Sequence, residues 1–381
     1  MNKSILHIAN GYWARKVYHD MVLAISKFSV SQTVFVPIRD VKDAKNYDII
    51  RENVKIIYSL VVSSIFYRVL FNLKIKKTLS KIDNEIDVKD FDIIHAHTLF
   101  SDGAVALHYY KKYKIPYIIA IRNVDVNEFF KFLIYLRPLG REILNNANKI
   151  VFLSYSYRQR LISNYVLPND KKSIEEKSIV IPNGINHFWF DNKNTIRNKK
   201  DNKFTLVYAG EFVRNKNLLN VIKAVNILTK QGIDVHYNIV GEGHNDSAAY
   251  LKLLKQAANG NNNVSIIKAR DKQGMLEEYK KADIFVMASY TESFGLVYAE
   301  AISQGLPVIY TKGEGFDNHF EDGNIGFSVN PHSPEDIARG ISSIIDNYND
   351  IQKYSETAIA NFNWDKISKD YFEVYSNIKR T

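Results

Sequence analysis

Short apolar runs recur along the whole chain, each followed by a stretch long enough for a helix. The first half carries Ile5–Asn10 (ILHIAN), Phe91–His97 (FDIIHAH), Pro116–Ile121 (PYIIAI) and Lys149–Ser154 (KIVFLS). The second half carries Phe204–Gly210 (FTLVYAG), Val235–Gly241 (VHYNIVG), Val264–Ala269 (VSIIKA), Ala282–Ser289 (ADIFVMAS) and Pro307–Thr311 (PVIYT). Runs of this kind are buried strands, and strands alternating with helices build mostly parallel sheets with right-handed crossovers. The expected fold class is α/β. Two openings are alike: ILHIANG and TLVYAG each end a first strand at a glycine, with a helix-like stretch soon after, as a Rossmann-like domain begins. Between Asp191 and Asn202 the chain is polar and without hydrophobic period (DNKNTIRNKKDN), the mark of a linker. The expected organisation is therefore a domain at 1–190 and a second at 203–362, two Rossmann-like domains facing across a cleft. The amphipathic last stretch, Asn363–Lys379, is expected to be a helix that crosses back, so that 363–381 joins the N-terminal domain.

Composition narrows the class. With 381 residues, 46% of them hydrophobic, there is material for two cores. The chain has no cysteine, hence no disulfide and no thiolate metal site. The opening MNKSILHIANG has too short an apolar stretch for a signal peptide, and no apolar run approaches the roughly 20 residues of a membrane span. A cytoplasmic protein is expected, soluble or peripheral on the inner face of the plasma membrane. The net charge is +10. Tyr67–Lys81 contributes five basic residues (Arg68, Lys74, Lys76, Lys77, Lys81) and no acidic one, with Val69, Leu70, Leu73 and Leu79 near helical spacing. This reads either as an amphipathic helix on an anionic membrane or as a solvated helix packing one stripe on the core. Asn127–Leu144, rich in Phe, Leu and Arg, is a second membrane candidate. The basic residues are not interleaved with stacking aromatics and no nucleic-acid module appears, so no nucleic-acid partner is expected. Neither opening carries GxGxxG, which argues against a nicotinamide enzyme, and no cofactor is expected.

The segment Thr291–Ile309 (TESFGLVYAEAISQGLPVI) concentrates the chemistry. Ser289–Gly295 reads as a loop, Leu296–Gln304 as a helix, and Gly305 and Pro307 end it. Glu292 then lies in the loop beyond the carboxyl end of a strand, where ligands bind in such sheets. The free amides at Gly295 and Leu296 make an anion site, and Glu300 lies further along the helix. An acid at the mouth, amides for an anion and a second acid deeper suit a ligand with hydroxyls at both ends and phosphates between them. A nucleotide-sugar has that layout. Arg214 and Lys216, in GEFVRNKN after the first strand of the second half, point into the same mouth and suit a diphosphate clamp.

Asp283–Gly326, with its Glu–x7–Glu pair (Glu292, Glu300) and the Gly-Leu-Pro-Val-Ile run, resembles the signature of the retaining glycosyltransferases of family 4, whose fold is called GT-B. DIIHAHTLFSDG, IVFLSYSYRQRL, IPNGINHFWF, GEFVRNKN and GEGH extend the resemblance in order along nearly the whole chain. The resemblance implies that a sugar passes with retention from a UDP- or GDP-sugar to a glycan or lipid-linked acceptor, in cell-surface polysaccharide synthesis and without a metal. It implies that Glu300 holds the ribose hydroxyls and Glu292 the transferred sugar. Arg214, Lys216 and the amides of Gly295 and Leu296 would hold the diphosphate, with Ser293 and Phe294 also among the donor-binding residues. Gly11 would let the other domain's backbone approach it, and the stretch at Arg270 would recognise the base. His97 at its strand end would face the acceptor, Arg122, where many members have a histidine, would serve an anionic sugar or an acceptor phosphate, and with Glu292 these are the candidate catalytic residues. The family's frequent Gly-Arg is here Gly210–Glu211, with Arg214 as the substitute. A nucleotide-sugar 2-epimerase of the same fold is the alternative; it needs an acid–base cluster around the sugar, and none matches.

His95 and His97 alternate and so face one side of their strand. A metal site would need a third ligand, none is spaced locally, and no metal is expected. His97 is expected to point toward the acceptor and His95 to be structural.

Overall fold

The computed structural model describes residues 3–44, 47–61, 71–194, 199, 202–243 and 248–380. It divides into two compact units. The first comprises Met1–Leu153, Tyr157–Gly184 and Trp364–Thr381; the second comprises Ser154–Ser156 and Ile185–Asn363.

Unit 1 is built on strands β1 (Lys3–Ile8), β2 (Val30–Ile38), β3 (Val54–Leu60), β4 (Ile93–Ala96), β5 (Tyr117–Ile121), β6 (Lys149–Phe152) and β7 (Ser178–Val180). They form one sheet in the order β3-β2-β1-β4-β5-β6-β7, every pair parallel. The order reverses between β1 and β4, which opens a crevice beyond their carboxyl ends, the place where such sheets hold ligands. Both faces are covered, so the strands read as continuous apolar runs rather than alternating ones. One face packs on a cluster including Phe100, Ile119, Phe130 and Ile143. The other packs on the helix Lys16–Ile25 and on the last helix, Trp364–Asn377, through Ile5, Met21, Trp364, Tyr371 and Tyr375.

The returning helix is thus part of the core of unit 1. Its buried residues Trp364, Ile367, Ser368, Tyr371, Val374 and Tyr375 recur three and four apart, the stripe that sequence periodicity indicates.

Unit 2 repeats the plan with β8 (Phe204–Glu211), β9 (Val235–Glu242), β10 (Val264–Lys268), β11 (Ile284–Val286), β12 (Val308–Thr311) and β13 (Gly326–Val329). The order is β10-β9-β8-β11-β12-β13, again all parallel. Here the reversal falls between β8 and β11, whose trailing loops carry Arg214, Lys216 and Glu292.

Of the basic stretch Tyr67–Lys81, residues 67–70 lie outside the described residues. The remainder belongs to a helix, Phe71–Glu85, that buries Phe71, Thr78 and Ile82 and leaves Leu73, Lys76, Lys77 and Lys81 exposed. Half of the polar linker, residues 195–198, 200 and 201, also lies outside them, as does His244 of GEGH. Among the described residues no helix is long and apolar enough to cross a membrane.

Candidate active site

In unit 2 the cations reach the acid through two asparagines. Arg214–Lys216 is a single turn after β8, closed by Asn217 in the left-handed conformation at φ 57°. The Asn217 amide donates to the carbonyls of Ala288, at 2.9 Å, and Pro331, at 2.6 Å. Asn215 donates to the Thr291 carbonyl at 2.8 Å and accepts from the Thr291 amide and hydroxyl at 3.2 and 2.8 Å. The cation-bearing turn is thereby fastened to the loop after β11. Lys216 Nζ ends 2.7 Å from Glu292 Oε2, with both side chains mostly buried. The side chain of Arg214, two residues earlier, is exposed and makes no ion pair among the described residues.

Glu292 is held from a second side. Its amide donates to Glu314 Oε2 at 2.9 Å, and its carbonyl accepts from the Gly315 amide at 2.8 Å. A Cβ on Gly315 would sit 2.2 Å from the Ser293 carbonyl carbon, so this backbone approach admits only glycine. Ser293 donates its amide to Glu292 Oε1 at 3.1 Å. The ring of Phe294 faces away from any ligand: it is buried against Phe316, His319 and Phe362. Only the backbone of Phe294 is left to line the site.

Gly295 caps the helix Leu296–Ser303 at φ 81°. A Cβ there would meet Tyr298 Cε2 at 2.5 Å, and Tyr298 is pinned by its hydroxyl to the Met287 carbonyl at 2.6 Å. Gly295→Ala is expected to destabilise unit 2 by about 1–3 kcal/mol through left-handed strain and this clash. Urea unfolding checks it; an unchanged midpoint would contradict the strain. Glu300 lies within the same helix. Burial pushes its carboxyl up to about 7, while Trp189 and Lys272 pull it back. Trp189 is itself buried against Tyr279. Arg270 is half-exposed, with Nε 3.9 Å from Glu278 Oε1.

In unit 1, Gly11, His97 and Arg122 meet around one ring. A Cβ on Gly11 would lie 3.1 Å from Tyr18 Cε2; the Arg122 guanidinium sits 5.1 Å from the Tyr18 centroid, and His97 meets that ring edge-on at 5.3 Å. Arg122 Nε donates to the His97 carbonyl at 3.1 Å. Asp125 shapes the turn, accepting from the amides of Arg122, Leu99 and Phe100 at 2.9, 3.1 and 3.4 Å. Burial raises Asp125 to about 6 and the neighbouring Asp102 to about 7.

Two readings of the histidines are corrected here. The His97 imidazole does not face outward; it is 1% exposed, stacked on His95 at 4.1 Å, with Nε2 3.0 Å from His7 Nδ1. Its carbonyl, not its ring, touches Arg122. A third imidazole does exist beside His95 and His97, because His7 of β1 pairs in register with His95. Local spacing cannot show it, since the partners are far apart in sequence and meet only in the sheet. Asn215, Asn217, Glu314, Tyr18, Trp189 and Asp102 were also missed as parts of the site. The alternating Asn in RNKN and the glycine-flanked Glu314 were the available signals.

The comparisons agree with this architecture. The family model Glycosyltransferase Family 4 matches residues 14–187, and Glycosyl transferases group 1 matches residues 190–361. An uncharacterized glycosyltransferase of Methanocaldococcus jannaschii is 26% identical over 77% of this chain and 78% of its own. The alpha-monoglucosyldiacylglycerol synthase of Acholeplasma laidlawii is 26% identical over 63% of each chain. The crystal structure of Anabaena HepE in complex with UDP superposes with a TM-score of 0.71, at 17% identity, over 99% of this chain and 100% of that one. With both family models matched end to end along two parallel-sheet units, the chain is a glycosyltransferase and belongs to glycosyltransferase family 4, of the GT-B fold.

Proposed function

We propose that the chain transfers a sugar, with retention, from a UDP- or GDP-sugar to a glycan or lipid-linked acceptor in cell-surface polysaccharide synthesis. The observation that carries this reading is the 2.7 Å contact of Lys216 with Glu292 beside the glycine-capped helix start at Gly295. It sets a cation, free helix amides and a carboxylate together, as a sugar diphosphate requires. Arg214 and Lys216 neutralise the departing diphosphate, helped by the amides of Gly295 and Leu296, while Ser293 and Phe294 line the donor. Glu292 holds the transferred sugar, Glu300 the ribose and the Arg270 stretch the base. Gly11 serves the donor's diphosphate, and His97, through its carbonyl, and Arg122 serve the acceptor side. The bond between the anomeric carbon and the diphosphate oxygen breaks as the acceptor oxygen bonds that carbon, and the acceptor proton passes to the leaving phosphate oxygen. No protein nucleophile, cofactor or catalytic metal takes part. The UDP held by HepE supports the donor class, and the lipid product named for the Acholeplasma enzyme supports a lipid-linked acceptor.

A place on the inner face of the plasma membrane is supported by exposed Phe132, Ile134 and Tyr135 beside Lys131 and Arg137, and by the exposed lysines Lys76, Lys77 and Lys81. Binding to anionic but not neutral vesicles is the expected result.

The test of function is incubation with UDP- and GDP-sugars, with and without a lipid-linked glycan, reading product and anomer by NMR. Transfer with the donor's anomeric configuration is expected. An epimerised sugar formed without acceptor would overturn the reading in favour of a 2-epimerase.

Glu300 adds a pH dependence. Ribose hydroxyls donate to a carboxylate, and burial holds this one up to about 7. Donor binding should tighten from about pH 6 to about pH 8 with proton release, and lose that trend in Glu300→Gln. The folded-state value lies above the unfolded one, so the native state binds the extra proton. Stability of the free enzyme therefore falls as pH rises through about 7, and Glu300→Gln gains over wild type at about pH 8 but not at about pH 4. Parallel thermal denaturation at the two pH values reads this directly.

A further inference from the structure

The three imidazoles of unit 1 form a buried cluster that sugar transfer does not use. His7 on β1 lies opposite His95 on β4, and His97 shares the face of His95. Ring centroids are 4.1 Å apart for His95–His97 and 5.3 Å for each of the other two pairs. One nitrogen from each ring can be chosen so that all three lie within 4.8 Å of one another; His7 Nδ1 and His97 Nε2 are already 3.0 Å apart.

The outer side is furnished as a ligand set needs. His95 Nδ1 meets the Tyr375 hydroxyl at 2.7 Å. Gln32 lies beside His7, and its Nε2 donates to the Val22 carbonyl at 3.1 Å. Such outer partners fix the tautomer and orientation of metal-bound histidines. His7 Nε2, His95 Nε2 and His97 Nδ1 still lack a hydrogen bond of good geometry among the described residues. An ion engages one nitrogen of each ring; with His7 Nδ1 and His97 Nε2 as the facing pair, the orphan it would satisfy is His95 Nε2, and a buried orphan ring nitrogen is uncommon. With no thiolate and no carboxylate in the set, the donors suit zinc, cobalt, nickel or copper, and not magnesium or calcium.

We propose that His7, His95 and His97 bind one zinc-class divalent cation as a structural site beneath the helix Trp364–Asn377. Nitrogen ligands of tetrahedral zinc lie about 3.3–3.4 Å apart, so the loosest ring closes by roughly 1–1.5 Å on loading. Tyr375 is fully buried over the cluster, which places loading before this helix docks, during folding. The ion would tie β1 and β4 to the returning helix; the inference is independent of the donor reading.

The test uses the full chain without a polyhistidine tag, expressed in medium supplemented with zinc or cobalt and washed with chelator. One equivalent of metal per chain, a visible cobalt band of low-coordinate imidazole ligation and a raised Tm are expected. His7→Gln and His95→Gln should each weaken retention by more than about 100-fold, since loss of even an outer partner costs roughly 10–100-fold. Tyr375→Phe keeps all three ligands and should fall in that 10–100-fold range; it carries the test if the histidine variants do not fold. A folded wild-type chain that retains no metal, or variants that retain as much as wild type, would overturn the proposal and leave a water or neutral imidazoles alone at the site.

Discussion

Lys216→Ala is expected to lower kcat/KM for sugar transfer by roughly 10- to 150-fold, the range of one charge-assisted hydrogen bond of about 1.5–3 kcal/mol. Two effects add. The diphosphate loses a cation at the moment its charge grows, and the largely buried Glu292 carboxylate loses its partner at 2.7 Å and turns its charge toward the phosphates. The second effect places the loss at the upper end of the range. Lys216→Arg should recover part of it, because the charge returns without the lysine's reach. Combining Lys216→Ala with Glu292→Gln should cost less than the sum of the two, since they share one contact. Asn215 and Asn217 hold the turn by their own bonds, so the fold should survive, which circular dichroism checks. Wild-type kcat/KM in a folded Lys216→Ala would contradict the role.

Trp364→Ala should produce the largest loss of stability, about 3–5 kcal/mol, in line with large-to-small changes at buried aromatic positions. Trp364 is buried at the start of the returning helix, where the Cβ position of Gly184 would lie 2.6 Å from its ring. No side chain stands there to fill the space if the indole is removed. The same helix carries Tyr371, which feels the Arg122 charge, so loosening it should also reduce turnover. Hydrogen exchange read by mass spectrometry should show lost protection in β1 and β4, whose residues Ile5 and Ile93 pack in this cluster. Unchanged protection there would mean that the returning helix is not part of the core.

The central strands of both sheets were legible because they are buried on two faces and so stand out as apolar runs between helices, whereas β2, β3, β7 and β13 were not picked out, and β3 and β7 are only partly buried. The helix start at Gly295 was legible for a different reason. Its loop, glycine and following Gly-Leu-Pro are local signals, and the left-handed φ of 81° is what such a glycine implies. Glu292 and Glu300 were found by their spacing and by family resemblance. What holds them was hidden. Asn217 bonds to the carbonyls of Ala288 and Pro331, and Glu314 reaches the amide of Glu292, through contacts between loops far apart in the chain. His7 escaped notice for the same reason, since register across β1 and β4 is a tertiary fact. The burial that raises Asp102, Asp125 and Glu300 also depends on neighbours that composition does not name. Phe294 shows the converse: its place in the motif suggested a ligand contact, and the structure commits its ring to the core.

Calorimetric titration of the full chain with UDP, GDP and their glucose and mannose conjugates tests the diphosphate grip most directly, because it needs no acceptor. One nucleoside diphosphate should bind stoichiometrically, with Lys216→Ala and Glu300→Ala each weakening it by at least roughly tenfold and Arg339→Ala, a surface cation paired with Asp336, leaving it unchanged. Binding of equal strength in all four proteins, or in none of them, would contradict a site built on Lys216, Glu292 and the helix tip at Gly295.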